Sequence, residues 1–130
     1  MLEIIQVKTS QRIEMINVTE KITKIVSNSP ISDGLCCIFV PHTTAAVTIN
    51  ENSDPSVTSD IIHKLNDLIP VRDDYSHLEG NSDAHIKASI LGLSISVIID
   101  NNSLAIGTWQ GIYLCEFDGP RTRKLYVKIK

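Results

Sequence analysis

The 130-residue sequence has few aromatic residues, no long apolar run and no excess of basic charge. Its two Phe, three Tyr and one Trp are too few for a platform on which nucleic-acid bases stack. Twelve basic against fifteen acidic residues give a net charge of −3, which argues against general binding to nucleic acid or to an anionic membrane. No segment approaches the roughly 18 consecutive apolar residues of a membrane-spanning helix. We therefore expect no nucleic-acid partner and no membrane partner.

The sequence also lacks the short motifs of nucleotide binding and of structural zinc. It contains no Walker A loop, no G-x-G-x-x-G, no H-E-x-x-H and no C-x-x-C pair. Its three cysteines, Cys36, Cys37 and Cys115, are odd in number and offer no sensible disulfide, so we expect reduced thiols. The first residues carry no signal-peptide pattern. These features together predict a cytoplasmic protein.

Hydrophobic residues form 42% of the chain, which is enough for a core, and no repeat or linker divides it. We expect one domain over residues 1–130. Apolar periodicity predicts strands over 2–9, 12–18, 34–40, 45–50, 93–99, 110–117 and 123–129. It predicts helices over 20–27, over 55–69, and from 82 to a stop at Gly92, with Thr19, Asp54 and Ser82 as their N-caps. This order predicts an α+β fold with two layers, in which helices pack on a mostly antiparallel sheet.

Two of these segments carry a further expectation about burial. Residues 34–40 are almost continuously apolar, which is typical of a central strand buried on both faces. In the helix that begins at Ser82, Ala84, Ala88 and Leu91 share one side and are the expected contact with the core.

Three of the four histidines lie in polar settings at the ends of predicted elements. His42 follows the strand over 34–40, His77 lies in a polar loop, and His85 lies in the first turn of a helix. His63, by contrast, faces away from the apolar stripe of its helix and is expected to be a surface residue. Three converging imidazoles would form a site for Zn²⁺ with a fourth position open. The spacing alone favours three unrelated histidines that hydrogen-bond to the backbone, because no H-E-x-x-H or paired C-x-x-C pattern is present.

Three other polar segments are candidates for catalysis or binding. Glu51 ends a strand and is a candidate general base or a carboxylate that orients a histidine. Gln110 follows the only tryptophan, in a Gly-rich segment where a bulge or a close approach of backbone is expected. Arg121, Arg123 and Lys124 form a cluster that suits a phosphate, although an exposed hairpin end is the more ordinary explanation of this composition.

Five motifs resemble those of the YjbQ family of small conserved proteins. They are PHTTAA over 41–46, NENSD over 50–54, YSHLEGNSDAH over 75–85, GTWQGIY over 107–113 and EFDGPR over 116–121. From about residue 34 to the C-terminus the resemblance lies in these sequence motifs. In the N-terminal part it lies in the order of the predicted elements. It implies a two-layer α+β fold that assembles as a homotrimer. The family also carries the label of a secondary thiamine-phosphate synthase, which joins a pyrimidine pyrophosphate to a thiazole phosphate.

The resemblance also implies a set of site residues. By it, His42, His77 and His85 are the expected metal ligands. Thr43, Asn81 and Ser89 are the expected cofactor-binding residues, and Glu51 and Gln110 are expected catalytic residues. Arg121 is added to the catalytic residues because, in an enzyme of this type, Arg121 or Arg123 would bind a phosphate of the substrate. The expected cofactor is a divalent metal, Zn²⁺ from the imidazoles or Mg²⁺ if the substrate carries phosphates.

Two classes of function stay open at this point. One is an enzyme of the thiamine-phosphate-synthase type that takes a phosphorylated small molecule as substrate, or a metal-dependent hydrolase. The other is a non-catalytic trimer that binds a metal or a phosphorylated metabolite.

Overall fold

A computed structural model describes residues 2–130. The strands are β1 (Leu2–Lys8), β2 (Glu14–Asn17), β3 (Gly34–Phe39), β4 (Ala45–Glu51), β5 (Ser94–Asp100), β6 (Ser103–Leu104), β7 (Gln110–Glu116) and β8 (Thr122–Ile129). The helices are α1 (Thr19–Asn28), α2 (Pro55–Leu68) and α3 (Ser82–Leu91). The strands form a five-stranded sheet, β1-β8-β3-β5-β6, and a three-stranded sheet, β2-β7-β4. Every strand pair is antiparallel, so the predicted α+β class is confirmed.

The layers follow from which face of each strand is apolar. The main core fills the space between the two sheets and includes Ile22 and Val26 of α1. A second cluster lies on the other face of the three-stranded sheet, where Ala84 and Ala88 of α3 pack against Cys115. The helices α2 and α3 therefore cover the three-stranded sheet, and no helix contributes to a core on the outer face of the five-stranded sheet in the described part of the chain.

The prediction that strand β3 is buried on both faces is wrong for a single chain. Cys36 and Ile38 are fully buried, whereas Leu35 and Phe39, which point to the other face, are 53% and 41% exposed. The continuous apolar run arises because one face of the strand joins the core and the other forms an uncovered apolar surface.

The structure confirms one of the three predicted N-caps and corrects the other two. Asp54 caps α2 as predicted, because its Oδ1 accepts a hydrogen bond of 2.9 Å from the Ser56 amide. The N-cap of α1 is Val18 rather than Thr19, whose hydroxyl donates to Asn17 Oδ1 and accepts from the Ile112 amide. The N-cap of α3 is Asn81 rather than Ser82. In both cases the helix starts one residue earlier than the side-chain rule predicts.

Candidate functional site

His77 and His85 lie side by side on one open pocket. Their ring centres are 5.5 Å apart and the rings meet edge to face. His85 is placed by the first turn of α3, and the loop that carries His77 is held by Tyr75, whose hydroxyl donates to the Pro70 carbonyl at 2.6 Å. The pocket has a volume of about 410 Å³. Its lining comprises Asp74, Tyr75, Ser76, His77, Ser82, His85 and Ile86.

His42 occupies a different environment, at the start of β8. Its Nε2 accepts a hydrogen bond of 2.9 Å from the backbone amide of Lys124. Burial lowers the pKa of His42, and the positive charge of Arg123 lowers it further. The ring is therefore neutral at pH 7, and because Nε2 is an acceptor, the ring proton lies on Nδ1. His42 thus presents an N–H donor at Nδ1.

The three predicted metal ligands do not come together within one chain. Among residues 2–130, no group of three His, Cys, Asp or Glu side chains is close enough to hold a metal ion. Glu79 is close to one of the two histidines of the pocket, with its Oε1 3.9 Å from His77 Nε2. His63 is on the surface as expected, with a side chain 80% exposed. The three-histidine site stays a prediction, and a single chain brings together only two of its three histidines, His77 and His85.

The basic cluster after the Gly119–Pro120 turn divides into buried and exposed members. Arg123 is 2% exposed, and its Nε lies 3.0 Å from both carboxylate oxygens of the fully buried Glu116. Its Nη2 donates to the Thr44 hydroxyl at 2.8 Å. Arg123 is therefore a structural residue and no phosphate clamp. Arg121 and Lys124 are the exposed cations of the cluster.

Asp118 connects this cluster to the start of α3. Its Oδ2 accepts hydrogen bonds from Asn81 Nδ2 at 2.8 Å and from Arg121 Nη2 at 3.2 Å. Within residues 2–130, the buried Oδ1 of Asn81 is an acceptor without a protein donor. The predicted site residues Asn81 and Arg121 are thus brought together, through a carboxylate that the sequence analysis did not select.

Glu51 and Gln110 lie in the three-stranded sheet, at the end of β4 that is far from Thr44 and His42. They are paired across β4 and β7, six residues from the Ala45–Glu116 pair that lies beside Thr44. At about 3.4 Å per residue, that separation is about 20 Å. Gln110 Oε1 accepts from the Gly107 amide at 2.8 Å, and Glu51 Oε2 accepts from the Ser53 amide at 3.2 Å. In one chain these two predicted catalytic residues shape their own loops and do not lie beside His42.

The two remaining predicted residues have simple placements. Thr43 is exposed in the turn between β3 and β4. Ser89 is exposed on α3, and its hydroxyl donates to the His85 carbonyl at 2.9 Å. The expected close approach of backbone in the Gly-rich segment is present at Gly111, where an added Cβ would lie 2.7 Å from Asn52 Cβ.

Sequence reasoning missed a buried ionic cluster directly behind the histidine pocket. Asp83 and Lys87 of α3 are fully buried, and Lys87 Nζ lies 2.9 Å from Asp83 Oδ2. Arg12 binds both oxygens of Asp83, at 3.0 and 3.2 Å, and Asn66 Oδ1 accepts from Lys87 at 2.8 Å. The four-residue spacing of Asp83 and Lys87 is the one signal in the sequence, because it places both on one helix face.

The comparisons with known proteins agree over nearly the whole chain. Residues 3–130 match the family model described as UPF0047 protein YjbQ-like. A UPF0047 protein of Methanocaldococcus jannaschii is 54% identical over 95% of this chain and 90% of its own length. YugU of Bacillus subtilis, also a UPF0047 protein, is 46% identical over 99% of this chain and 98% of its own length.

Solved structures give the same result. An uncharacterized conserved protein of the yjbq/upf0047 family from Clostridium acetobutylicum superposes with a TM-score of 0.97 at 52% identity, over 98% of this chain and 99% of that one. A YbjQ-like protein of unknown function from Sulfolobus solfataricus gives a TM-score of 0.95 at 34% identity, over 99% and 95% of the two chains. No helix within residues 2–130 has the length and apolar character that crossing a membrane requires. The chain belongs to the YjbQ/UPF0047 family.

Proposed function

We propose that this protein is a metal-dependent enzyme that acts on a phosphorylated small molecule, with a divalent transition metal held by His77 and His85. The observation that carries the proposal is the 5.5 Å separation of the two ring centres on one pocket. Two imidazoles that bind one tetrahedral ion through nitrogens at about 2.0–2.1 Å have ring centres about 5 Å apart. The separation of the two rings is therefore close to the separation that a shared ion requires.

The donor atoms favour zinc over magnesium. Imidazole nitrogens suit Zn²⁺ and related ions, whereas Mg²⁺ prefers oxygen ligands in octahedral geometry. The bound ion would supply Lewis-acid chemistry to an oxygen of the substrate. The exposed Glu79, 3.9 Å from His77, is the carboxylate that is positioned to orient this imidazole.

His42, Arg121 and Lys124 support the second part of the proposal, a phosphorylated substrate. Burial lowers the pKa of His42, and positive charge from Arg123, Arg121 and Lys124 lowers it further. The backbone amide of Lys124 contacts the His42 ring directly, at 2.9 Å. A neutral imidazole N–H beside two cations is a donor set for an anion such as phosphate. The hydrogen bond from Lys124 to His42 Nε2 favours this donor role for His42 over that of a metal ligand.

The family label gives the first reaction to test, the joining of a pyrimidine pyrophosphate to a thiazole phosphate with release of pyrophosphate. In that reaction Arg121 and Lys124 would bind phosphate oxygens and His42 would donate a hydrogen bond. The second candidate is metal-dependent hydrolysis, which the nitrogen donor set favours because such sites hold zinc. We further propose a reducing, cytoplasmic setting, since Cys36, Cys37 and Cys115 are all free thiols.

Metal retention is the test of the proposal. The purified protein is loaded with Zn²⁺, dialysed, and analysed for metal per chain by mass spectrometry. We expect His77→Ala and His85→Ala each to weaken Zn²⁺ binding by more than about 100-fold, because a lost ligand costs more than a lost outer hydrogen bond. We expect His42→Ala to retain the metal.

His63→Ala is the matched control, since this histidine lies on the surface of α2, away from the pocket. It should retain as much zinc as the wild type. Equal zinc content in the wild type and in a His77→Ala/His85→Ala double variant would refute the proposed metal site.

A further inference from the structure

A second cavity lies between helix α1 and the inner face of the five-stranded sheet, at the edge of the main core. Its volume is about 480 Å³, within the range of about 300–1,000 Å³ that is typical of sites for small molecules. It shares no lining residue with the pocket of His77 and His85. We call it the α1 cavity.

The apolar walls of the α1 cavity are aliphatic. They are formed by Ile25 of α1, Ile31 of the following loop, and Val127 and Ile129 of β8. Val127 is fully buried, and Ile25 and Ile129 pack against the main core. No aromatic ring of the described residues lines the cavity, so it offers no surface for stacking a base or another ring. The walls therefore suit a ligand with an aliphatic body.

Two side chains of opposite charge also line the cavity, Glu3 and Lys24. Glu3 takes an inward-facing position of β1, the position that Ile5 and Val7 take further along the strand, and it is paired with Val127. Lys24 precedes Ile25 on α1. Within residues 2–130, neither charge belongs to an ion pair. Both are therefore available to a ligand.

The end of helix α1 adds negative partial charge to the same cavity. Asn28, the last residue of the helix, lines it. The last carbonyl groups of a helix lack intrahelical partners and favour a cation, and the last turn of α1 contains no basic residue. A ligand ammonium group is thus favoured by Glu3 and by the helix end, and a ligand carboxylate by Lys24.

The rim of the cavity is held in place by Asn102, in the turn after β5. Its Nδ2 donates to the carbonyls of Ser29 and Ile31, at 3.3 and 3.1 Å. Its backbone amide donates to the Ser32 carbonyl at 3.0 Å. Asn102 has a φ of +60°, a conformation that asparagine adopts more readily than most residues. The loop after α1 is therefore fixed, and a fixed site binds without the entropic cost of ordering a loop.

We infer that the α1 cavity binds a small zwitterion with an aliphatic body, the chemistry of an amino acid such as leucine or of a short peptide of such residues. The opposite charges of Glu3 and Lys24 match an ammonium and a carboxylate on one molecule. A phosphorylated ligand would meet a single cation beside a carboxylate, so the cavity disfavours it. This binding site is separate from the proposed metal site and does not depend on it.

Calorimetric titration of the full chain with three probes tests the inference. The probes are L-leucine, 3-methylbutylamine, which lacks the carboxylate, and 4-methylpentanoate, which lacks the ammonium group. We expect leucine to bind about 10-fold more tightly than either analogue, because each analogue loses one charge-assisted hydrogen bond.

Two variants assign each charge of the ligand to its partner. Glu3→Gln should lose the preference for leucine over 4-methylpentanoate, and Lys24→Gln should lose the preference for leucine over 3-methylbutylamine. A ratio between two probes does not change in this selective way when a variant merely folds less well. Lys21→Gln, at an exposed position of α1 outside the cavity, is the matched control and should bind all three probes like the wild type.

A fourth probe, L-leucyl-glycine, distinguishes the two sources of this chemistry. Tighter binding than leucine assigns the cavity to peptides, and weaker binding assigns it to free amino acids. The His77→Ala/His85→Ala double variant should bind leucine like the wild type, because the two cavities share no lining residue. The inference is overturned if neither leucine nor the peptide binds at millimolar concentration, or if Glu3→Gln and Lys24→Gln keep the wild-type preferences.

Discussion

Asp83→Asn is expected to lower the free energy of unfolding by about 3–5 kcal/mol, the cost of leaving a buried charge without its partner. Asp83 and Lys87 are both fully buried, and the Asp83 carboxylate also binds the Arg12 guanidinium. An asparagine of the same size keeps the packing but removes the negative charge between two cations. Urea denaturation at pH 7 measures the difference. Asp67→Asn, whose side chain is 60% exposed on α2, is the matched control and should change stability by less than about 0.5 kcal/mol.

The effect of Asp83→Asn should also depend on pH. Burial raises the pKa of Asp83, but hydrogen bonds and positive charge from Arg12 and Lys87 outweigh it, so the pKa lies below its ordinary value. A carboxylate whose pKa is depressed by folding stabilises the protein above its unfolded pKa of about 3.9 and loses this contribution as the pH falls through the folded value. The difference between wild type and variant should therefore shrink below about pH 4. A difference that is small at pH 7 or independent of pH would contradict this account.

Arg123→Met is expected to destabilise the protein by about 3–5 kcal/mol, because it leaves the buried Glu116 carboxylate without its ion-pair partner. Glu116 is fully buried, and besides Arg123 it accepts hydrogen bonds from the Thr9 hydroxyl at 2.8 Å and the Asp118 amide at 3.1 Å. The measurement is again urea denaturation at pH 7. Lys124→Met, at the exposed neighbouring position, should have an effect of less than about 0.5 kcal/mol.

A double variant isolates the ionic contribution from the packing. Arg123→Met with Glu116→Leu removes both charges, and replacement of a buried ion pair by apolar residues is often close to neutral. The double variant should therefore be more stable than Arg123→Met alone. If the single variant loses less than about 1 kcal/mol, the Arg123–Glu116 pair does not have the structural role that its burial implies.

The sequence predicted the order and type of the main elements because apolar periodicity depends on local structure. The strand over 110–117 and the helix after Asp54 correspond closely to β7 and α2. Apolar periodicity does not show which faces of these elements are covered by other parts of the protein. The apolar run over 34–40 reads identically whether its second face is covered by the same chain or left exposed, so the exposure of Leu35 and Phe39 could not be predicted.

The arrangement of the candidate site residues was harder to predict from the sequence than the fold. The motifs selected His77 and His85, and the structure brings them together. The motifs also grouped Glu51 with the histidines, although the predicted strand over 45–50 already separates Glu51 from Thr44 by the length of a strand. The burial of Asp83, Lys87 and Arg123 was equally hidden, since charged residues are almost never fully buried without partners and these partners are distant in sequence.

The central claim is that His77 and His85 share one metal ion. Zinc-edge X-ray absorption of the protein loaded with one equivalent of Zn²⁺ tests it most directly. We expect scattering from two imidazole rings with Zn–N distances of about 2.0–2.1 Å, and loss of this signal in the His77→Ala/His85→Ala double variant. A spectrum of oxygen ligands without imidazole, or of sulfur at about 2.3 Å, would contradict the account.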